Sequence, residues 1–226
     1  FSPIMSIIED KDRNFMQFVD DEKTADTKAF VVSPRTNFAR ILKNQKSIPW
    51  PAIIRKIGAP RQISLEGLGL GDVVARGIAE VLPTLPCVSS LNVCNNRLTD
   101  ASLVPLCEAV VHVESLQELD ISENDVDDAA VTIRDYLGSS MCRLKSLAMR
   151  QADVDDMECA SFMKALCRNT TLTELDLSHN LIGTEEARNV VNPDFETGAE
   201  AIAEMLERNR TLTKLNIGWN YIRKDS

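Results

Sequence analysis

Three glycines at alternate positions, in the stretch LEGLGLGD (residues 65–72), separate an apolar run from a helix-like segment. A strand, a glycine-rich turn and a helix form the phosphate-binding site of many nucleotide-binding proteins. Here the glycines are spaced 0, 2, 4 instead of 0, 2, 5, and the lysine followed by Ser/Thr of a phosphate-binding loop is missing. Asp72 would also repel a phosphate at the start of the helix. The stretch therefore argues against a nucleotide site.

The other residues with catalytic or metal-binding potential do not form a recognisable site. His112 and His179 have no second histidine or cysteine pair at the spacing of metal ligands. DVDD occurs at 125–128 and again at 153–156, but the glycine and the terminal glutamate of a calcium-binding loop are absent. We therefore predict no catalytic residue, no cofactor and no metal site.

Charge divides the chain into three segments. Residues 1–30 carry seven acids and four bases, residues 31–61 carry seven bases and no acid, and residues 62–226 carry 27 acids and 14 bases. An acidic body is expected to repel nucleic acid. The chain is 44% hydrophobic, yet no apolar stretch is long enough to span a bilayer, so we predict no membrane span.

Cysteine usage and two glycosylation sequons bear on the cellular compartment. The six cysteines include no CxxC pair, which favours reduced thiols and a cytoplasmic location. The NxT sequons begin at Asn169 and Asn209, both at the ends of predicted helices. We interpret these asparagines as left-handed helix caps instead of glycosylation sites.

A 28-residue repeat is the strongest pattern in the sequence. Apolar-x-apolar-x-x-x-x-apolar recurs five times at this period and a sixth time after 40 residues. The copies begin at Ile63, Leu91, Leu119, Leu147, Leu175 and Leu215. Deleting residues 186–197 restores the period, so this segment is predicted to be an insertion. After each turn the apolar spacing changes from that of a strand to that of a helix, which predicts one strand and one helix per repeat.

Individual positions of the repeat have predicted roles. An asparagine between strand and turn (Asn96, Asn124, Asn180 and Asn220) can satisfy buried backbone groups of neighbouring loops. Aspartates at helix starts (Asp72, Asp100, Asp128 and Asp156) are predicted N-terminal caps or first-turn acids. In the last helix, the inward stripe is predicted to be Ala199, Ile202, Ala203 and Leu206.

The segments LNVCNNRLTD, LDISENDVDD, LDLSHNLIGT and LNIGWNYIRK resemble leucine-rich repeats of the ribonuclease-inhibitor type. The resemblance implies an α/β solenoid, a horseshoe with a parallel sheet on the concave face and helices on the convex face. Residues 62–226 would form the six-copy array, residues 31–61 a basic helical N-terminal cap, and residues 1–30 an extended or partly disordered tail. Because the chain starts at Phe1 and its last copy lacks a helix, we expect a fragment of a longer protein.

The repeat register predicts which strand residues face the concave surface. Repeats three to five place carboxylates around one arginine, and the predicted patch comprises Glu118, Asp120, Glu123, Arg150, Glu174 and Asp176. Cys94, Ser122 and Ser178 are also predicted to face outward. Trp219 at the edge of the last strand and Phe195 in the insertion are candidate anchors for a partner.

These features predict a non-catalytic scaffold that binds a protein partner of basic character through the acidic concave face and the rim insertion. The chain could serve as one component of a larger complex. Two alternatives stay open. One is a regulator of a small GTPase, since the Ran GTPase-activating protein has the same repeat type; the other is a structural subunit of a cytoskeletal or ciliary assembly.

Overall fold

Six short parallel strands form one sheet in sequence order. The computed structural model describes residues 33–48, 51–57, 61–184 and 197–222. The strands are β1 (Gln62–Ser64), β2 (Ser90–Asn92), β3 (Glu118–Asp120), β4 (Ser146–Ala148), β5 (Glu174–Asp176) and β6 (Lys214–Asn216). The helices are α1 (Pro34–Asn44), α2 (Pro51–Ile57), α3 (Gly71–Val81), α4 (Asp100–Val111), α5 (Ala129–Gly138), α6 (Asp156–Leu166) and α7 (Gly198–Arg208). This order of elements confirms the predicted α/β solenoid.

The sequence period corresponds to one step across the sheet. Ile63 pairs with Leu91 and Leu91 with Leu119, and the same register continues to Leu215. The central residue of each of the first five strands is buried, whereas Leu215 in β6 is half-buried at the end of the sheet. Each 28-residue unit therefore moves the chain by one strand spacing, about 4.8 Å.

One face of each repeat helix packs into the core, as the helical spacing of the apolar residues predicts. The stripe predicted for α7 is wrong. Ala201, Ile202 and Met205 are buried, whereas Leu206 is 52% exposed. Helix α7 begins and ends 42 residues after α6, whereas β6 follows β5 by 40. The connection from α7 to β6 is therefore two residues shorter than the connection from α6 to β5, and the buried face of α7 does not follow the predicted stripe.

Buried asparagine side chains connect successive turns, as the repeat predicts. The Asn124 amide nitrogen donates to three backbone carbonyls at 3.0 Å, two in its own turn and one in the preceding repeat. Its oxygen accepts from the backbone N–H groups of Asn96 and Leu98, at 3.1 and 3.0 Å. Asn180, two repeats after Asn124, makes the five equivalent bonds to its own turn and to the preceding repeat. One side chain thus satisfies five backbone groups that strands and helices leave unpaired.

The two sequon asparagines form a second set of links between repeats. The Asn209 amide donates to the carbonyls of Leu166 and Asn169, and its oxygen accepts from two backbone N–H groups that follow it. The left-handed conformation predicted for both asparagines is wrong, since Asn209 has φ −76° and Asn169 is not among the residues with positive φ. At Asn209, the extended backbone lets the amide reach the preceding repeat. Both amides are buried.

Aspartates at the starts of helices bond to the repeat that follows. Asp72 lies in the first turn of α3, as predicted, and its carboxylate accepts from Thr99 and Ser102 at the start of α4. Asp100 accepts from the backbone N–H of Ala129 at 3.1 Å. Each carboxylate therefore lies near the positive end of the next helix, where a negative charge is stabilising.

Asp156 joins two parts of the chain that are distant in sequence. Its fully buried Oδ1 accepts from the backbone N–H of Gly183 at 2.8 Å and of Gly198 at 2.9 Å. A Cβ at Gly198 would lie 2.5 Å from Ile182 Cγ2, so only glycine permits this approach. Residues 185–196, which hold most of the predicted insertion and Phe195, lie outside the described residues, as do residues 1–30.

Helix α1 covers the outer side of the first repeat. Phe38 and Leu42 are fully buried against α3, where Gly77 makes the close contact possible. A Cβ at Gly77 would lie 3.2 Å from side-chain atoms of both residues. The Ser33 hydroxyl caps α1 by accepting from the Thr36 N–H. The apolar side of α1 is thus buried, and its basic residues face solvent.

Replacing Asn124 with alanine should lower the free energy of unfolding by about 3 kcal/mol or more, because each buried polar group left unpaired costs about 1–3 kcal/mol. Asn220→Ala provides the matched control, since Asn220 is half-buried and makes three such bonds. Urea unfolding followed by circular dichroism measures both losses. An Asn124→Ala loss no larger than that of Asn220→Ala would contradict the assigned role.

Candidate functional site

The exposed sheet face contains a shallow depression between two rows of carboxylates. Its floor is Ser146 and Ala148, the smallest outward pair among the six described strands. Glu118 and Asp120 flank the floor on one side, and Glu174 and Asp176 flank it on the other, all in register. Because adjacent strands lie about 4.8 Å apart, the two rows are about 10 Å apart. We call these six residues the acidic trough.

Hydrogen bonds fix two of the trough carboxylates. Asp120 Oδ1 accepts from the Ser122 N–H at 3.0 Å, and Asp176 Oδ1 accepts from the Ser178 N–H and hydroxyl at 2.9 and 2.6 Å. Asn216 donates to the other oxygen of Asp176. Burial raises the pKa of Asp176, but the bonds from Ser178 and Asn216 outweigh it and hold the pKa below its ordinary value. Asp176 therefore stays ionised in mildly acidic solution.

Three further residues of the predicted patch, Glu123, Arg150 and Glu174, take part in two surface ion pairs. The Arg150 guanidinium donates to the Glu123 carboxylate at 2.8 Å, and this hydrogen bond raises the arginine pKa. Lys214 lies 2.6 Å from Glu174. Arg150 thus pairs with the carboxylate of the adjacent turn and does not occupy the floor of the trough, which keeps an excess of negative charge.

A row of left-handed residues follows the strands, one per repeat. Their φ values lie between 49° and 63°, and the row comprises Gly67, Asn95, Glu123, Gln151, His179 and Trp219. The N–H of each of the first five donates to a carbonyl of the next repeat, as Glu123 does to Arg150 at 2.8 Å. We call this set the rim row. Gly67 is its first member, so this glycine of LEGLGLGD fills a turn position that polar residues fill in the next three repeats.

Trp219 is the most exposed large apolar residue among the described residues, at 81%. Its ring stacks on that of His179, with the centroids 5.5 Å apart and the planes 12° apart. Trp219, a candidate anchor from the sequence, therefore lies exposed at the rim, beside the last two strands.

Three predicted outward residues are buried instead. Cys94, Ser122 and Ser178 are 2–3% exposed, because each lies two residues past its strand, where the chain turns and longer neighbours cover it. Burial, with the carboxylates of Asp120 and Glu123, raises the pKa of Cys94 to about 11. That thiol is protonated near neutral pH. All six cysteines are within the described residues, and none is bonded to another.

The Leucine Rich repeat family model matches residues 114–132, 168–185 and 208–225. Ribonuclease inhibitor of Sus scrofa is 30% identical over 142 residues, which cover 62% of this chain and 31% of that protein. The chain is a ribonuclease-inhibitor-like leucine-rich-repeat protein. Ribonuclease inhibitor of Mus musculus is 28% identical over 137 residues, which cover 59% of this leucine-rich-repeat chain and 30% of that protein. The chain thus spans about a third of the length of these two relatives.

A solved structure supports the leucine-rich-repeat fold. The tropomodulin C-terminal domain of Caenorhabditis elegans has a TM-score of 0.50 at 14% identity, with 69% of this chain and 87% of that chain covered. No helix among the described residues is long and apolar enough to cross a membrane.

A group of carboxylates surrounds the start of α6 in this array. Asp155 and Glu158 form a capping box, in which each side chain accepts from the other's backbone N–H at 3.0 Å. Burial raises the pKa of Glu158 to about 7, and the nearby charges of Asp155, Asp127 and Asp100 add to the increase. The start of α6 is therefore sensitive to pH near neutrality.

Glu158 should make the folded state less stable as pH rises from about 4.5 to about 7, since its pKa is about 7 in the folded state against an ordinary 4.5. Its penalty is absent below the lower value and complete above the higher one. Glu158→Gln keeps an oxygen for the cap and removes the charge, so its urea midpoint should decline less over this range. Glu80→Gln, at an exposed position on α3, is the control. Parallel pH profiles for wild type and Glu158→Gln would contradict the assignment.

Proposed function

We propose that this chain is a non-catalytic scaffold that binds a protein partner of basic character through the acidic trough. Leucine-rich-repeat proteins are suited to protein binding, and the trough is the feature that supports this partner. Two rows of carboxylates about 10 Å apart leave room for one lysine or arginine side chain above Ser146 and Ala148. The acidic trough would also accelerate the approach of a positively charged surface and repel nucleic acid.

The hydrogen bonds within the trough order its carboxylates. Asp120 accepts from a backbone donor, and Asp176 accepts from backbone and side-chain donors. Their orientation is set before a partner arrives, which reduces the conformational entropy lost on binding. Trp219 and the insertion residue Phe195 are proposed as apolar contacts at the rim of the same surface.

A cytoplasmic location and a place in a larger complex accompany this proposal. The location is supported by six thiols that are not bonded to one another. We also propose that α1 and α2 act as the cap of the array, because α1 buries Phe38 and Leu42 against the first repeat helix.

Glu118→Lys combined with Glu174→Lys should reduce partner binding about tenfold or more, because like charges placed opposite each other at an interface cost several kcal/mol. Neither side chain is among the Asp120 and Asp176 contacts that order the turns, so the fold should persist. Glu80→Lys with Glu108→Lys, at exposed positions of α3 and α4, gives the same change in net charge on the helical face.

The measurement is quantitative affinity purification from the native source, followed by mass spectrometry and by titration of the recovered partner. Proteins lost with the trough variant and retained with the helical-face variant are the expected result. Equal recovery with both variants would show that the trough is not the binding surface.

A further inference from the structure

The last two repeats carry apolar and aromatic side chains at rim positions where earlier repeats do not. In the rim row, His179 and Trp219 follow Gly67, Asn95, Glu123 and Gln151. Two residues further along each repeat, Leu181 and Tyr221 follow Gly69, Arg97, Asp125 and Asp153. We call His179, Leu181, Trp219 and Tyr221 the aromatic corner. The change in residue type is confined to one end of the described rim.

The aromatic corner is open to solvent and contributes little to the core. Trp219, Tyr221 and Leu181 are 81%, 54% and 37% exposed. The same backbone positions accept glutamate, glutamine and aspartate in other repeats, so the turn does not require an aromatic residue. A group of exposed large apolar side chains that the fold does not require is typical of an interaction surface.

The turns beneath the corner are already ordered. The N–H of His179 donates to the Gly218 carbonyl at 2.9 Å, and the N–H of Tyr221 donates to the Ile182 carbonyl at 2.8 Å. The stacked rings of His179 and Trp219 restrict each other as well. Binding at this corner would therefore require little further ordering, which favours affinity.

Asp176 of the acidic trough is linked to the turn that carries Trp219. Asn216 donates to Asp176 at 3.0 Å, and Asn216 Oδ1 accepts from the Gly218 N–H at 3.1 Å, immediately before Trp219. An exposed indole that follows the strand next to that of an ionised carboxylate matches a guanidinium group, which stacks on aromatic rings and bonds to carboxylates. Lysine matches less well, because its ammonium group is more strongly hydrated and is not planar.

We infer that the aromatic corner binds an arginine side chain of the protein partner, with the guanidinium stacked on the exposed indole of Trp219. This inference rests on the proposed function and identifies the residue that the partner presents at the end of the trough. A second copy of this chain is a poorer occupant, because each copy carries a net charge of −9 and would bring like charges together.

Three capped nine-residue peptides test the inference, each alternating glycine with arginine, lysine or citrulline. Their affinities for the purified chain are measured by isothermal titration calorimetry. The arginine peptide should bind about threefold or more tightly than the lysine peptide, as expected for a cation–π contact at a partly exposed site. The citrulline peptide, which is planar and neutral, should bind most weakly.

Trp219→Gln should abolish the preference for arginine over lysine. Gln151 holds the corresponding rim position with φ 49°, so glutamine is compatible with this turn. Met157→Gln, which removes a 67% exposed apolar side chain from the helical face, is the control and should keep the preference. A preference that persists in Trp219→Gln would overturn the inference.

The trough variant Glu118→Lys with Glu174→Lys separates this inference from the proposed function. If it weakens the arginine and lysine peptides equally while Trp219→Gln leaves their ratio unchanged, the trough stands and the arginine contact fails. If only Trp219→Gln changes the ratio and the trough variant changes neither affinity, the contact stands and the trough fails. Self-association in sedimentation velocity that Trp219→Gln removes would identify a second copy as the occupant and overturn the inference.

Discussion

The need to pair buried backbone groups governs this structure more than any other interaction. Stacking one repeat on the next removes the strand-to-helix turn from water, and its N–H and C=O groups cannot all bond within a strand or a helix. Asn124 shows the solution, since one amide bonds to five backbone groups in two successive turns. These bonds hold neighbouring turns in a common register. The straight alignment of the trough and the rim row follows from that register.

Polar side chains that cross from one repeat to another make the array cooperative. Asp72 bonds to the start of α4, Asp100 to the start of α5, and Asn209 to the end of α6. A single repeat would leave these groups without their partners, in addition to exposing its apolar face. Neighbouring repeats therefore depend on each other through directed hydrogen bonds as well as through apolar contact.

The regular parts of the fold were predictable because each depends on a local period. The 28-residue spacing predicted the strands, the parallel register and the role of Asn124. The period-2 rule failed at Cys94, Ser122 and Ser178, since the chain leaves the strand before reaching them. The α7 stripe was misplaced because the sequence alone does not show at which residue the helix begins after the inserted segment.

Within the candidate site, sequence predicted which residues lie together but not how they are engaged. The trough carboxylates follow from strand register, whereas the bonds from Ser178 and Asn216 to Asp176 depend on turn geometry. The left-handed conformation of the rim row could not be predicted from the sequence, because most of its residues are not glycine. Gly67 was the available signal, since it marks a position that has positive φ in every repeat.

Asp156 has a consequence for how the array can change over evolution. Its Oδ1 accepts from the backbone N–H groups of both Gly183 and Gly198. One oxygen atom therefore holds the point where the chain leaves the turn of the fifth repeat and the point where α7 begins. The positions of α7 and β6 are then independent of how many residues lie between those glycines. Loops of different length and sequence between Gly183 and Gly198 should therefore be exchangeable at this junction while the six strands keep their alignment.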